Sequence, residues 1–431
     1  GDGYRKSVKI LSKFIKFKIY KVKSGTKVFD WTVPKEWNIN DAYIMDSSGN
    51  KIVDFKNSNL HVLNYSTPQN KEITFNELKN HLFSIPEQPD DIPYVTSYYN
   101  ENWGFCLEHN RLLKMKNETY RIVIDSKLEN GSLTYGEFFI KGTSKDEILI
   151  STYVCHPSMC NDNLSGIVVA AALAKYIQNF NFKYSIRFLF IPETIGAITW
   201  ISNNEHKLKN IKHGLVLTCI GDSGKFVYKK TRMGNTEIDN TVIKVLEKSN
   251  SEFDVIDFYP WGSDERQFSS PAFNLPIGSL MRSIPNREIT KEYHTSADNL
   301  DFMNKNSLQE SFEKYFLIIQ ELEKNFEKQE MNSNNSQKIP INNEENYYVS
   351  TNPKCEPQLG KYHLYEDFGG QYDTEKKYMK NAIFWVLNLS DGFHSLEEIS
   401  KRSNLELKLI QNATKLLENK KLVLRKNNDN I

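Results

Sequence analysis

From residue 132 onward, short β-branched apolar runs alternate with longer apolar segments that have helical spacing. The strand-like runs are GEFFIKG, EILISTYV, SIRFLFIPE, HGLVLTCIG and LPIGSL, and the helical segments include GIVVAAALAKYIQNF and DNTVIKVLEKS. An amphipathic stretch over residues 304–330 closes this part of the chain. Alternating strands and helices predict an α/β domain with a mostly parallel central sheet flanked by helices.

Residues 27–131 lack this alternation of strands and helices. Instead, short β-like runs are separated by Asn, Ser, Gly and Pro. We interpret this region as an inserted, mainly-β subdomain, and we assign residues 1–26 together with residues 132–330 to the α/β domain. The insert contains the Pro- and aromatic-rich stretch PEQPDDIPYVTSYYNENWGFCL. That stretch predicts either a rigid loop packed by its own aromatic rings or a loop that lines a substrate pocket. Its aromatic residues are Tyr94, Tyr98, Tyr99, Trp103 and Phe105.

The C-terminal part of the chain predicts a separate unit. Residues 331–354 begin with a polar, Asn- and Ser-rich stretch, which predicts a linker. Residues 355–431 show three helical segments and a β-like tail, an order that resembles a winged helix. They contain 12 Lys/Arg against 11 Asp/Glu, whereas a phosphate-binding face is plainly basic. We therefore expect this domain to serve protein contact or oligomer packing rather than nucleic-acid binding.

The overall composition is balanced between basic and acidic residues. Lys plus Arg is 55 and Asp plus Glu is 54, giving a net charge of +1, and hydrophobic residues make up 39%. This balance is typical of a globular protein and gives no global attraction to anionic partners. The five cysteines form no CxxC pair, and no leader or membrane-spanning run is visible. We expect a cytoplasmic protein without a disulfide scaffold or a membrane partner.

Residues that can perform chemistry fall in three loops of the α/β domain. His156 and Asp162 lie between a strand and a helix, Glu193 follows the strand SIRFLFI, and His294 lies in EYHTS. Such loops meet at the carboxyl edge of a parallel sheet, where ligands bind. Two imidazoles and a carboxylate suit Zn²⁺ with a fourth position open. Glu193, if it is not itself a metal ligand, would be the general base that takes a proton from water.

These motifs resemble the zinc-dependent exopeptidase family that includes the bacterial leucyl aminopeptidases and the glutamate carboxypeptidase group. The resemblance implies that His156 is the first metal ligand, Asp162 the bridging carboxylate, Glu193 the general base and His294 the last ligand. The runs STYVCHPSM, IPETIGAITWIS, GSDERQF and EYHTS are similar, more narrowly, to a group of bacterial aminopeptidase-like proteins. That group has an inserted β subdomain and a C-terminal winged helix, and it is linked to polysaccharide-biosynthesis gene clusters.

The sequence departs from the family pattern at three positions. Thr194 stands where the family has a second Glu ligand, Thr218 where it has an Asp ligand, and Ser158 where an Asp steadies the first His. Two zinc ions would share only three good ligands. We therefore expect one zinc ion per chain, bound by His156, Asp162 and His294.

Several charged residues nearby have two interpretations each. Asp264, Glu265, Arg266 and Arg282 lie in or near the family's late pocket segment. They would bind a substrate carboxylate or amino terminus, or form an internal ion-pair network. Asp298 would support the metal ligands through hydrogen bonds, or cap the segment that follows it.

The sequence favours a zinc-dependent, aminopeptidase-like hydrolase that cleaves the amide bond of a peptide or amino-acyl substrate. One alternative is an amidohydrolase or deacylase that acts on an amino-sugar or a sugar-linked amino acid. Another is a non-catalytic, zinc-containing scaffold or binding protein. The substitutions at Thr194 and Thr218 support that last alternative.

Overall fold

The computed structural model describes residues 1–97, 100–282, 292–330, 347–364 and 374–426. Tyr98 and Tyr99 of the aromatic stretch lie outside the described residues. The same holds for residues 331–346 of the predicted linker and for parts of the predicted winged helix, residues 365–373 and 427–431.

The strands and helices follow the predicted alternation in the second half of the chain. In chain order the strands are β1 Lys18–Lys23, β2 Lys27–Val28, β3 Trp31–Thr32, β4 Glu36–Met45, β5 Lys51–Asp54, β6 Gln69–Thr74, β7 Leu82–Phe83, β8 Phe105–Cys106, β9 Thr119–Glu129, β10 Ser132–Ile140, β11 Glu147–Tyr153, β12 Ser185–Ile191, β13 Ile211–Leu217, β14 Phe226–Lys229, β15 Phe253–Ile256, β16 Ile277–Arg282, β17 Tyr347–Ser350, β18 Asp391–Ser395 and β19 Val423–Arg425. The α-helices are α1 Asp2–Leu11, α2 Phe75–Leu78, α3 His109–Leu112, α4 Gly166–Ile177, α5 Ile195–Asn204, α6 Glu237–Glu247, α7 Glu265–Phe268, α8 Lys305–Glu330, α9 Thr374–Leu389, α10 Leu396–Ser403 and α11 Leu407–Asn419.

An eight-stranded sheet forms the centre of the fold, in the order β1-β10-β12-β11-β13-β16-β14-β15. The four middle strands β12, β11, β13 and β16 run parallel to one another. Strands β11 and β12 are buried along their whole length, which explains why they are continuous apolar runs rather than alternating ones. The carboxyl ends of these middle strands lie at one edge of the sheet. The prediction of a mostly parallel sheet is confirmed.

Helices cover both faces of this sheet. One face packs against α4, α6 and α8, with Leu173, Val242 and Tyr315 in the shared core. The other packs against α5 and α7, with Trp200 and Phe268 in a second core. The predicted flanking of the sheet by helices is therefore confirmed.

A smaller antiparallel sheet, in the order β5-β4-β9-β6, lies in the range predicted to be mainly β. Its own core contains Ile44, Phe105, Tyr120 and Ile122. We call it the insert sheet. Strand β1 instead pairs with β10, so the N-terminal segment adds an edge strand to the central sheet.

The C-terminal unit consists of β17, β18, β19, α9, α10 and α11, and its strands form one antiparallel sheet in the order β18-β17-β19. Strand β17 lies inside the range that the sequence assigns to a linker. The helix order agrees with the predicted winged helix.

The C-terminal unit is docked on the α/β part. Val227, Ile256 and Met281 of the central sheet share a hydrophobic core with the helices of the unit. Arg232 donates hydrogen bonds to the side chain and backbone oxygens of Asn388, both at 2.9 Å. The expected role of the unit in protein contact or oligomer packing stays a prediction.

In the part of the chain that the structure describes, every helix is too short or too polar to span a bilayer.

Candidate active site

The turn between β11 and α4 carries His156 and Asp162. It includes the irregular segment Cys160–Ser165, in which Asp162 and Asn163 have non-helical backbone angles. The Asn163 side chain donates hydrogen bonds to Thr152 Oγ1 at 2.9 Å and to the Leu217 carbonyl at 3.2 Å. A Cβ atom at Gly166 would lie 2.5 Å from that same carbonyl. The turn is therefore fixed to the ends of both neighbouring strands, β11 and β13.

The three predicted metal ligands lie together. His156 Nδ1 is 3.3 Å from Asp162 Oδ1, and His294 Nε2 is 3.1 Å from Asp162 Oδ2. One donor atom from each residue lies within 4.8 Å of the others. The residues come from loops more than 130 positions apart, and they meet because Asp298, four residues after His294, binds the Asp162 turn.

Asp298 is buried and accepts hydrogen bonds from three backbone N–H groups of that turn. Its oxygens receive the amides of Cys160 at 3.1 Å, Asn161 at 2.6 Å and Asp162 at 2.9 Å. Burial raises the pKa of Asp298 to about 6, although these hydrogen bonds oppose the shift. Asp298 thus connects the His294 loop to the Asp162 turn.

The donor atoms of the three residues fit a zinc ion. His156 Nδ1, Asp162 Oδ2 and His294 Nε2 are buried and, apart from the contacts within this set of three residues, have no hydrogen-bond partner among the described residues. Leaving buried polar atoms without partners costs free energy, so a shared ligand would satisfy all three. Two imidazole nitrogens and a carboxylate oxygen are the usual donors to zinc.

A second set of three donors, Cys155, His156 and Glu193, also lies within 4.8 Å. It shares His156 with the first set. Cys155 is exposed, and Glu193 contributes no buried oxygen without a partner. The first set is therefore the better metal site of the two.

Sequence reasoning did not identify Tyr153, which contacts the metal-ligand candidate Asp162 directly. The Tyr153 hydroxyl donates a hydrogen bond to Asp162 Oδ1. Thr218 Oγ1 lies 2.6 Å from the same hydroxyl. A hydrogen-bonded pair, Tyr153 and Thr218, thus occupies the side of Asp162 where the resemblance implies a further metal ligand.

Glu193 lies in the turn between β12 and α5, beside the imidazole of His156. Its Oε2 is 3.6 Å from His156 Nε2, and its side chain is 22% exposed. Burial raises the pKa of Glu193 to about 7, with the Asp162 charge adding to the increase and the His156 charge opposing it. A carboxyl group with a pKa near neutrality can both accept and return a proton.

The charges around His156 favour a cation. Burial lowers its pKa, but attraction to Asp162, Glu193 and Asp298 outweighs burial and raises the pKa to about 9. The same attraction holds the pKa of Asp162 well below its usual range, although burial alone would raise it. A field that stabilises a proton at this position also stabilises a metal cation.

The turn that carries Glu193 is held by two charged residues of the late pocket segment. Thr194 has φ +59°, a left-handed conformation that is unfavourable for a β-branched residue. Asp264 Oδ1 accepts the Thr194 amide at 2.7 Å, and Arg266 donates to Thr194 Oγ1 at 3.1 Å. Asp264 and Arg266 therefore position the loop on which Glu193 lies.

The other two residues of that group have internal partners. Glu265 and Lys229 form a buried ion pair, in which each side chain is 1% exposed. Arg282 pairs with Glu310 and donates to the Gly224 carbonyl at 2.8 Å. Of the four residues proposed to bind substrate, only Arg266 lines the cavity described below. The substrate-binding roles stay predictions.

Tyr94, from the aromatic stretch of the insert, packs edge-on against both imidazoles. Its ring centroid is 5.0 Å from that of His156 and 5.2 Å from that of His294. Its amide donates to the His294 carbonyl at 2.8 Å. Trp103 and Phe105 lie in the core of the insert. The stretch thus both packs on itself and forms part of the pocket wall.

The candidate ligands line a cavity of about 1750 Å³. Its wall includes α1, the insert sheet, the loops after β11 and β12, and the C-terminal unit, represented by Tyr4, Trp37, His156, Glu193 and Phe384. The site therefore opens into a cleft that four parts of the chain line.

Comparison with solved structures shows which fold this arrangement belongs to. A zinc aminopeptidase of Bacillus subtilis superimposes with a TM-score of 0.55 and 13% identity, over 74% of this chain and 88% of that one. The chain therefore shares its α/β fold with that zinc aminopeptidase. The chain belongs to the family described as "Domain of unknown function (DUF4910)", which matches residues 1–325, and residues 346–425 match a winged helix-turn-helix family.

Two Clostridium acetobutylicum matches cover almost the whole chain. One is described as a "putative polysaccharide biosynthesis protein with aminopeptidase-like domain". It is 52% identical over 97% of this chain and 90% of its own length. A crystal structure of a "putative peptidase" has 50% identity and a TM-score of 0.73, over 99% of this chain and 92% of that one.

Proposed function

We propose that this protein hydrolyses an amide bond in a peptide or amino-acyl substrate, with one zinc ion per chain bound by His156, Asp162 and His294. The observation that carries the proposal is the convergence, beside Glu193, of three buried metal-ligating atoms with no hydrogen-bond partner outside their own set. The aminopeptidase-like description of the C. acetobutylicum relative supports it. Zinc at such a site supplies Lewis-acid chemistry, polarising a carbonyl and acidifying water.

The residues of the chain have distinct roles in this proposal. Glu193 takes the proton from the attacking water and delivers it to the leaving amine. Tyr153 holds one oxygen of Asp162, which leaves Oδ2 for the metal. That division of the carboxylate supports one zinc ion rather than two.

The proposal is tested by metal analysis together with a panel of amide substrates. We expect about one zinc ion per chain, hydrolysis of aminoacyl-anilides, loss of hydrolysis on chelation and recovery on adding zinc. Two zinc ions per chain would contradict the single-metal site. An absence of turnover on every amide, with zinc saturating, would contradict catalysis and favour a zinc-containing scaffold.

A second candidate is an amidohydrolase or deacylase of an amino-sugar or a sugar-linked amino acid. The description of the relative as a polysaccharide biosynthesis protein favours it. Cleavage of N-acyl sugars without cleavage of aminoacyl-anilides would distinguish it from the first candidate.

Asp298→Asn is expected to weaken zinc binding about 10- to 100-fold, because the Asp162 turn loses the charged acceptor of its backbone amides. Zinc affinity is measured by competition with a chelator of known affinity. Asp301→Asn, an exposed carboxylate three residues further on, is the matched control and should bind zinc like the parent. Equal affinity in both variants would contradict a supporting role for Asp298.

A further inference from the structure

The cavity beside the candidate ligands is larger than an amino-acyl group needs. Small-molecule pockets typically span about 300–1000 Å³, whereas this one has about 1750 Å³. Its wall includes Trp31 and Trp37 as well as Gln358 and Phe384 of the C-terminal region. A substrate that fills it extends well beyond the scissile amide.

Aromatic rings form fixed platforms in this wall. Trp31, Trp37 and Trp261 line it, and they are three of only six tryptophans in the chain. The Trp31 indole donates to the Glu356 carbonyl at 2.9 Å, and the Trp37 indole donates to the Ser66 carbonyl at 2.8 Å. Because their N–H groups are satisfied by the backbone, these half-buried rings offer flat apolar surface to a ligand.

Trp37 is held further by Tyr65, whose ring stacks on it with centroids 5.8 Å apart and planes 23° apart. Both residues line the cavity. A stacked pair of this kind is preorganised, so little conformational entropy is lost when a ligand packs against it. The C–H face of a pyranose ring is complementary to such a flat surface.

Amide side chains line the same cavity as these rings. Asn64, Asn100, Gln358 and Asn381 line the cavity, and all four retain at least intermediate exposure. Each amide offers both hydrogen-bond donors and an acceptor. Sugar hydroxyls have the same dual capacity, so aromatic faces beside amide groups suit a polyhydroxylated ring.

The charged groups of the wall argue against an anionic ligand. Lys35 is 3.2 Å from Glu101, Lys361 is 3.7 Å from Asp30, and Arg266 is 3.2 Å from Glu356. Each of these cations already has a carboxylate, whereas a phosphate site presents cations to its ligand. Lys6 and Lys380 also line the cavity, and so do the carboxylates of Asp2, Glu36, Glu193 and Glu356. With five cationic and four acidic side chains in the wall, the cavity is suited to a neutral ligand.

We propose that this cavity binds a neutral saccharide, which carries the amide that the site cleaves. The inference rests on the second candidate function for the role of the amide, but the saccharide site itself is defined by the tryptophans and amides of the wall. The saccharide packs against Trp37 and Trp31, and its amide substituent reaches Glu193 and the three metal-ligand candidates.

The test is direct binding to the full-length, zinc-loaded protein, measured by calorimetry and by tryptophan fluorescence. The probes are neutral mono- to tetrasaccharides of hexoses, N-acetylhexosamines and deoxyhexoses, with alanine tri- and tetrapeptides as the competing class. We expect saturable binding of at least one saccharide. Trp37→Ala should weaken that binding at least tenfold, and Trp37→Phe should retain most of it because a flat ring remains.

Tyr43→Ala is the matched control, because Tyr43 is an aromatic residue of the same strand that does not line the cavity. It should bind like the parent, and thermal unfolding checks that each variant folds. The proposal is overturned if no saccharide of the panel binds, if Trp37→Ala binds as the parent does, or if only the peptides bind.

Binding and turnover separate this inference from the proposed function. If the protein binds a saccharide but hydrolyses no amide, the saccharide site is supported and the proposed hydrolase activity is contradicted. If the protein hydrolyses amides but binds no saccharide, the hydrolase activity is supported and the saccharide site is contradicted.

Discussion

Glu193→Gln is expected to reduce amide hydrolysis by about 10²- to 10⁴-fold, the usual contribution of a general base. The substitution preserves the size of the side chain and removes its ability to take a proton. The carboxylate lies 3.6 Å from His156 Nε2, outside the favoured set of metal ligands. Zinc content should therefore stay at the level of the parent. The measurements are kcat and KM on the best amide substrate, with metal analysis of the same sample.

The matched control for this variant is Glu205→Gln. Glu205 is a surface carboxylate that pairs with Lys354 at 2.6 Å and does not line the cavity. Its replacement should leave kcat within twofold of the parent. Full activity in Glu193→Gln would rule out the proposed base. A fall in activity that tracks a fall in zinc content would instead make Glu193 a metal ligand.

His294→Ala is expected to reduce the zinc content from about one ion per chain to near zero, because only two donors of the set remain. Binding of a ligand to the native state stabilises it by about 2.7 kcal/mol when the free ligand is at 100 times Kd. The parent should therefore lose thermal stability when a chelator removes zinc. His294→Ala should show no further loss with chelator. Metal analysis and thermal unfolding with and without chelator measure both effects.

His206→Ala serves as its control, since His206 is exposed on the surface. This variant should keep its zinc and its response to chelator. Zinc retained at one ion per chain in His294→Ala would show that the metal binds elsewhere. The set of Cys155, His156 and Glu193 would then be the first place to look, through Cys155→Ser.

The sequence could predict those site residues that directly follow a strand of the central sheet. His156 and Glu193 follow neighbouring parallel strands β11 and β12, so the alternation of apolar runs was enough to bring them together. The pairing of Asp162 with His294 followed from the family resemblance. These are properties of local pattern and motif, which a single chain displays directly.

The remainder depends on contacts between distant segments. Tyr153 ends a strand as an apparent core residue, and only the fold shows its hydroxyl on Asp162. Tyr94 reaches both imidazoles because the loop before it pairs with the His294 loop, Pro93 bridging to Thr295. Glu265 was a candidate for substrate contact, and its buried partner Lys229 is 36 positions away. Periodicity along the chain carries no information about such partners.

The metal-ligand candidates are synthesised before several residues that complete the cavity wall. The metal-ligand candidates all precede residue 300, whereas the wall is completed by Gln358, Asn381 and Phe384. Trp31 is anchored by the Glu356 carbonyl, 325 positions later in the chain. Domains generally fold from the N-terminus as the ribosome extends them. A nascent chain can therefore bring its metal-ligand candidates together before the residues that complete the cavity wall have been synthesised.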